Sequence, residues 1–218
     1  PHISVGAQVH AIIEDDQNNL WIGTDLGLIH QNKLTGSTKK FTYDARNPGT
    51  ISSNLISAFL YDNEGTLWIG TADGLNRFNP QSNTFTRYLH NPNDSSSIMD
   101  GRIFALEDGG GDSLWIGGFN GLNLMNKRTG KFSIINRPDS ESFRIIFTLL
   151  KDDSRNLWIG YYGGGGLFKY NLGNSTFTHY LKGKFCISLT EDSQHKIWAG
   201  TDGEGVYWSN NSSDVFTN

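Results

Sequence analysis

The sequence predicts an all-β chain, a β-propeller of five four-stranded antiparallel blades, as a closed five-bladed ring or as a fragment of a larger propeller. Three observations predict it. One phrase recurs along the 218 residues: NLWIGTDLGLI from Asn19, TLWIGTADGL from Thr66, SLWIGGFNGL from Ser113, NLWIGYYGGGGL from Asn156 and KIWAGTDGEGV from Lys196. The anchor tryptophans, Trp21, Trp68, Trp115, Trp158 and Trp198, stand 47, 47, 43 and 40 residues apart, the length of one propeller blade. Glycine is plentiful at 26, proline scarce at 5, and 12% of residues are aromatic, which suits many short strands joined by tight turns.

Each unit opens on a short apolar run: VHAII, ISAFL, IFAL, IIFTLL or CISL. These runs are too short for helices and rich in β-branched and aromatic residues, so they read as strands covered on both faces. An acidic turn follows, such as EDDQNN or YDNEGT, and then the LWIG strand. The next turn holds Gly27, Gly74, Gly121, Gly166 or Gly205, a residue suited to the positive φ that a hairpin requires. Third strands (GLIHQ, GLNRF, GLNLM, GLFKY, GVYWS) and fourth strands (KKFTY, TFTRY, KFSII, TFTHY, DVFT) complete the units. The expected domain is residues 1–218, with blades at about 7–44, 54–89, 100–136, 144–181 and 184–218.

A lone four-stranded sheet leaves two apolar faces uncovered, and stacking blades buries both. The anchor tryptophans therefore read as filler between blades and the glycine after each "WI" or "WA" as room for a neighbouring backbone. Asp15, Asp62, Asp108, Asp152 and Asp192 recur in the acidic turns and read as carboxylates that bond their own turn backbone rather than as metal ligands or acids. The six histidines show no ligand spacing, and no nucleophile elbow or phosphate loop occurs. No catalytic residue, metal or cofactor is expected. Cys186 is the only cysteine and reads as a buried apolar side chain. The net charge of −4 argues against a nucleic-acid partner, and no apolar run approaches the ~18 residues of a membrane span. The chain opens on Pro1, with no visible signal peptide, so an upstream segment is expected to have been removed or left out.

The unit V-x-x-I-x-E-D-x-x-x-N-L-W-I-G-T-x-x-G-L followed by F-T-x-Y resembles the two-component regulator propeller repeat. Val9 to Tyr43 and Ile56 to Tyr88 carry the resemblance best, together with the NPGTISSN and NPNDSSSI linkers. It implies a periplasmic sensor region of a hybrid two-component system, many of which detect oligosaccharides. It also implies an inner-membrane protein whose membrane helix and kinase lie in segments outside this chain, and more repeats than five, in seven-bladed rings. HISV at residues 2–5 then reads as the last strand of a preceding blade. A partial ring would leave two apolar faces bare, to be covered by self-association or by a neighbouring propeller of the same protein.

Departures from the shared wording mark the candidate site. The turn after the LWIG strand reads TDLG, TADG and TDGEG in three blades, but carries Phe119 and Asn120 in blade three and Tyr161 and Tyr162 in blade four. Exposed aromatic faces beside amides and hydroxyls suit sugar rings; packing on adjacent loops is the other reading. Aligned on the turn aspartates, Ala7, Asn54, Asp100, Arg144 and Lys184 enter the innermost strands, with Arg102 two residues after Asp100. Arg102 and Arg144 would meet an acidic sugar, a carboxylate or a sulfate, or serve as solvated rim charges. The leading function is a non-enzymatic, ligand-sensing module. The alternatives are a structural interaction platform and a propeller lyase or glycan hydrolase, the last wanting paired carboxylates at the channel mouth.

Overall fold

The computed structural model describes residues 6–99, 101–137, 145–210 and 215–218. Blade one is β1 (Val9–Glu14), β2 (Leu20–Thr24), β3 (Gly27–Gln31) and β4 (Thr38–Phe41). Blade two is β5 (Ile56–Tyr61), β6 (Leu67–Thr71), β7 (Gly74–Asn79) and β8 (Thr84–Tyr88). Blade three is β9 (Ile103–Gly110), β10 (Ser113–Gly118), β11 (Gly121–Asn126) and β12 (Lys131–Ile135). Blade four is β13 (Ile146–Lys151), β14 (Asn156–Tyr161), β15 (Gly166–Asn171) and β16 (Thr176–Tyr180). Blade five is β17 (Cys186–Glu191), β18 (Ile197–Thr201), β19 (Val206–Asn210) and β20 (Val215–Thr217). Each blade is its own antiparallel sheet in sequence order, with the LWIG strand second, and no helix occurs among the described residues.

Strand alternation gives every blade two different faces. The anchor tryptophan points forward to the next blade, while the leucine and isoleucine flanking it point backward. Trp21 thus packs with Leu67, Ile69 and Phe85 of blade two, and Trp68 with Leu114, Ile116 and Phe132 of blade three. Trp115 meets Leu157 and Ile159, and Trp158 meets Ile197 and Ala199. The glycine two residues past each of the first four anchors lets the inner strands close up. A Cβ on Gly23, Gly70 or Gly117 would lie 2.7, 2.6 or 2.4 Å from Ile56, Ile103 or Ile146 of the following blade. At the outer end of the first seam the gap is filled by rings instead, Phe41 standing 5.4 Å edge-on from Phe85.

The inner strands pack in succession, β1 on β5, β5 on β9, β9 on β13 and β13 on β17, and β1 and β17 do not meet as these pairs do. The five blades form an open arc. Its ends differ in kind. Blade one leaves Ile12 60% exposed although its cross-strand partner Ile22 is buried, and blade five shows its tryptophan face, with Val206 47% exposed. Trp21, Trp68, Trp115 and Trp158 are buried, but Trp198 and its cross-strand partner Trp208 are only partly so, because no sixth blade covers them. Cys186 is fully buried as expected, and burial pushes its thiol up to about 12.

The turn aspartates do bond their own backbone: Asp62 accepts from the Glu64 and Thr66 amides, Asp152 from Asn156, and Asp192 from Gln194 and Lys196. They also do something the sequence reading missed. These three also receive the indole N–H of their own anchors, Trp68 to Asp62 at 2.9 Å, Trp158 to Asp152 at 2.7 Å and Trp198 to Asp192 at 2.7 Å. Asp108 is not the equivalent residue in blade three. Trp115 pairs with Glu107 where Trp68 pairs with Leu60, so Asp108 stands one position early in the register.

Candidate functional site

The turns after the second strands and the links between blades share one end of the strands. A common tie joins them. The first turn residue donates its amide to the carbonyl just before the inner strand: Asp25 to Gln8, Ala72 to Leu55, Phe119 to Arg102, Tyr162 to Ile145 and Asp202 to Phe185, at 2.9 to 3.2 Å. This tie fixes the backbone in every blade and leaves the side chain at that position free to vary. Phe119 and Tyr162 are therefore equivalent residues, 40% and 39% exposed.

Tyr161 is not part of that surface. It ends β14, two residues after Ile159, and so shares the backward face with Ile159 and Leu157. It is 4% exposed, sits in the core between blades three and four, and packs edge-on to Phe168 with the Arg137 guanidinium 4.6 Å from its ring. The expectation of two exposed tyrosines is corrected to one. Asn120 is half-buried in the blade-three turn. Arg102 is exposed and lays its guanidinium 5.6 Å from the Phe119 ring centre. Asp100 and Arg144 lie outside the described residues. The amide ties also shift the alignment by one in blade three, so that Gly101 rather than Asp100 is the counterpart of Ala7, Asn54 and Lys184. Lys184 is ion-paired with Glu204, and Asn54 accepts the Tyr43 amide at 2.8 Å.

The sequence reading also missed three rings. Every inner strand carries a β-bulge that leaves one residue out of the ladder: His10, Ser57, Phe104, Phe147 and Ile187. A bulge re-aims the side chain it bears. In blades three and four that residue is phenylalanine, and the two stack with centres 5.7 Å apart and planes 17° from parallel. Phe147 then meets Tyr162 at 5.7 Å, and Tyr162 meets Phe185 at 5.3 Å. A continuous row of rings, Phe104–Phe147–Tyr162–Phe185, thus crosses three blades, with Phe147 40% exposed. The phenylalanines fall in runs that read as core strand, and only the bulge turns them outward. Such a surface offers flat apolar faces for stacking, with the Arg102 guanidinium and the Asn120 amide nearby to reach polar groups.

Residues 4–25 and 50–73 match the family model of the two-component regulator propeller, and these segments of the chain are repeats of that family. The arc superposes on the extracellular domain of one hybrid two-component system of B. thetaiotaomicron, at TM-score 0.86 and 23% identity, over 100% of this chain and 31% of the other. A second extracellular domain from the same organism gives TM-score 0.65 at 23% identity, over 100% and 34%. The virginiamycin B lyase of Staphylococcus aureus gives 0.75 at 13%, over 99% and 71%. At these identities the likeness is one of fold, and the chain spans about a third of the two extracellular domains it matches. No curated protein matches it.

Proposed function

We propose that this chain is the ligand-sensing propeller of a two-component system, placed outside the cytoplasm in the periplasm, and that it binds an oligosaccharide without transforming it. The observation that carries this is the exposed row of rings on the strand-two face. Sugar CH surfaces stack on such rings while hydroxyls find amide and guanidinium partners. The contacting residues are Tyr162, Phe119, Asn120 and Arg102, joined by Phe147. Arg144, the remaining candidate, lies outside the described residues. The regulator-propeller repeats and the two extracellular neighbours support the sensor reading. Ligand binding would act by favouring one arrangement of the propeller and its neighbours over another. The two end faces of the arc are where a second copy or an adjoining propeller would seat.

Titration calorimetry against a panel of neutral and acidic oligosaccharides, with product analysis of the same mixtures, tests this. Heat without product is expected. Product would move the chain to the lyase or hydrolase class, and neither heat nor product would leave an interaction platform. Tyr162→Ala is expected to abolish the heat while melting stays within about 1 kcal/mol of the parent, as for surface changes generally.

A further inference from the structure

We infer that the cleft between blades one and two, at the end of the strands opposite the ring row, binds a small protonated amine that also carries a hydroxyl, such as an amino sugar or amino alcohol. The cleft holds about 300 Å³, and its walls include Asp15, Asp16, Trp21, His30, Tyr61 and Pro80. Its walls include two carboxylates and no lysine or arginine.

The neighbouring seam serves as an internal template. Between blades two and three, Lys127 follows directly on β11 and drives its ammonium into the slot beside the anchor. There it meets Asp62 at 3.0 Å and Asp108 at 3.5 Å, with only 8% of its side chain exposed. The residue that follows directly on β7, in the first seam, is Pro80. The same slot there has acid walls and no lysine or arginine, its one basic group being the His30 imidazole 3.1 Å from Asp15.

The first seam also holds an unmet donor. Trp21 is 2% exposed and lines the cleft, yet its indole N–H makes no hydrogen bond, whereas Trp68, Trp158 and Trp198 each donate to their turn aspartate. Asp15 is turned to other partners, accepting from the amides of Gln17 and Asn19 on one oxygen and from Asn19 Nδ2 and His30 Nε2 on the other. The Trp21 N–H stands near the Tyr61 hydroxyl without hydrogen-bond geometry to it. A buried donor without a partner costs free energy, and a ligand oxygen would recover it. The two demands fit one class of ligand: an ammonium for Asp15 and Asp16, as Lys127 supplies next door, and a hydroxyl oxygen for Trp21.

The test follows the Trp21 indole cross-peak in a ¹H–¹⁵N spectrum at pH 6.5, with D-glucosamine, D-glucose and D-glucuronate as probes. Glucosamine is expected to shift it with a dissociation constant of about 10 mM or tighter, and glucose and glucuronate at least about tenfold more weakly. Pro80→Lys, which gives seam one the lysine of seam two, is expected to remove the response. Asp16→Asn, an exposed change that leaves folding untouched, should weaken it several-fold. A cross-peak unmoved by about 50 mM glucosamine overturns the inference, as does glucose binding equally well or an unchanged response in both variants. Tyr162→Ala should leave this response intact, so the outcome is separate from that at the ring row.

Discussion

The seam between blades one and two and the seam between blades two and three are built from the same repeat and solved differently. In the second, the Trp68 N–H, Asp62, Asp108 and Lys127 are all paired with one another at the turn. Burial works against the Asp62 charge, but the Trp68 N–H, the Thr66 amide and Lys127 outweigh it and hold the carboxyl below its usual range. Lys127 is likewise held above the ordinary ammonium value: burial opposes its charge, and Asp62 and Asp108 prevail. In the first seam His30 stacks on Trp21 at 4.1 Å and takes Asp15, and the anchor's N–H is stranded. The repeat requires a large ring at the anchor in both. It does not require that the polar edge be closed, and that edge is where two copies of one design diverge.

The comparison breaks first at the anchor of the closed seam. Trp68→Ala deletes a fully buried ring together with the donor to Asp62 and should cost about 3–5 kcal/mol in urea unfolding. A melting curve like the parent's would remove the tryptophan from its role between blades. Lys127→Ala leaves Asp62 and Asp108 buried without their cation and should cost about 3 kcal/mol. Lys33, on the exposed edge of blade one and paired with Glu14 at 2.8 Å, supplies the control: Lys33→Ala should change stability by less than about 1 kcal/mol.

Glu107 sharpens the contrast through pH. It occupies the register position held by Ile13, Leu60 and Leu150 in other blades, and burial raises its carboxyl to about 7, against a partial offset from Lys151. Between its ordinary value of 4.5 and about 7 the unfolded chain has lost this proton and the folded chain keeps it. Stability from this group therefore falls as pH rises through that window. Glu107→Gln should raise stability by up to about 3 kcal/mol at pH 8 and leave it unchanged near pH 4. Equal melting shifts at both pH values would sink this account. The finest test compares two conservative changes. Trp68→Phe deprives Asp62 of its donor and should cost about 1–2 kcal/mol more than Trp21→Phe, which takes away an N–H that bonds nothing.

The fold was legible because five copies repeat its rules: apolar run, acidic turn, LWIG, glycine turn, two more strands. Cys186 and the anchors were legible for the same reason. The site was only partly so. Phe119 and Tyr162 stood out as departures from the shared wording, yet Tyr161 stood out equally, and the period of two from Ile159 is what turns it into the core. Phe104 and Phe147 sit in runs that look like buried strand, and a bulge that no residue announces brings them to the surface. The aspartate register of blade three misled for a related reason. Asp108 matches the turn motif by type, but strand pairing places it one step early.

The glycine two residues past the anchor has a geometric consequence. A joint held tight at its inner edge by the lack of a methyl group, and propped open at its outer edge by rings, is a wedge. A row of similar wedges bends by a similar angle at each step, so the curvature of the arc is written at one position per repeat. Alanine there would open the hinge line and flatten the bend, and the radius at which such an array closes on itself is thereby under the control of a single hydrogen atom in each unit.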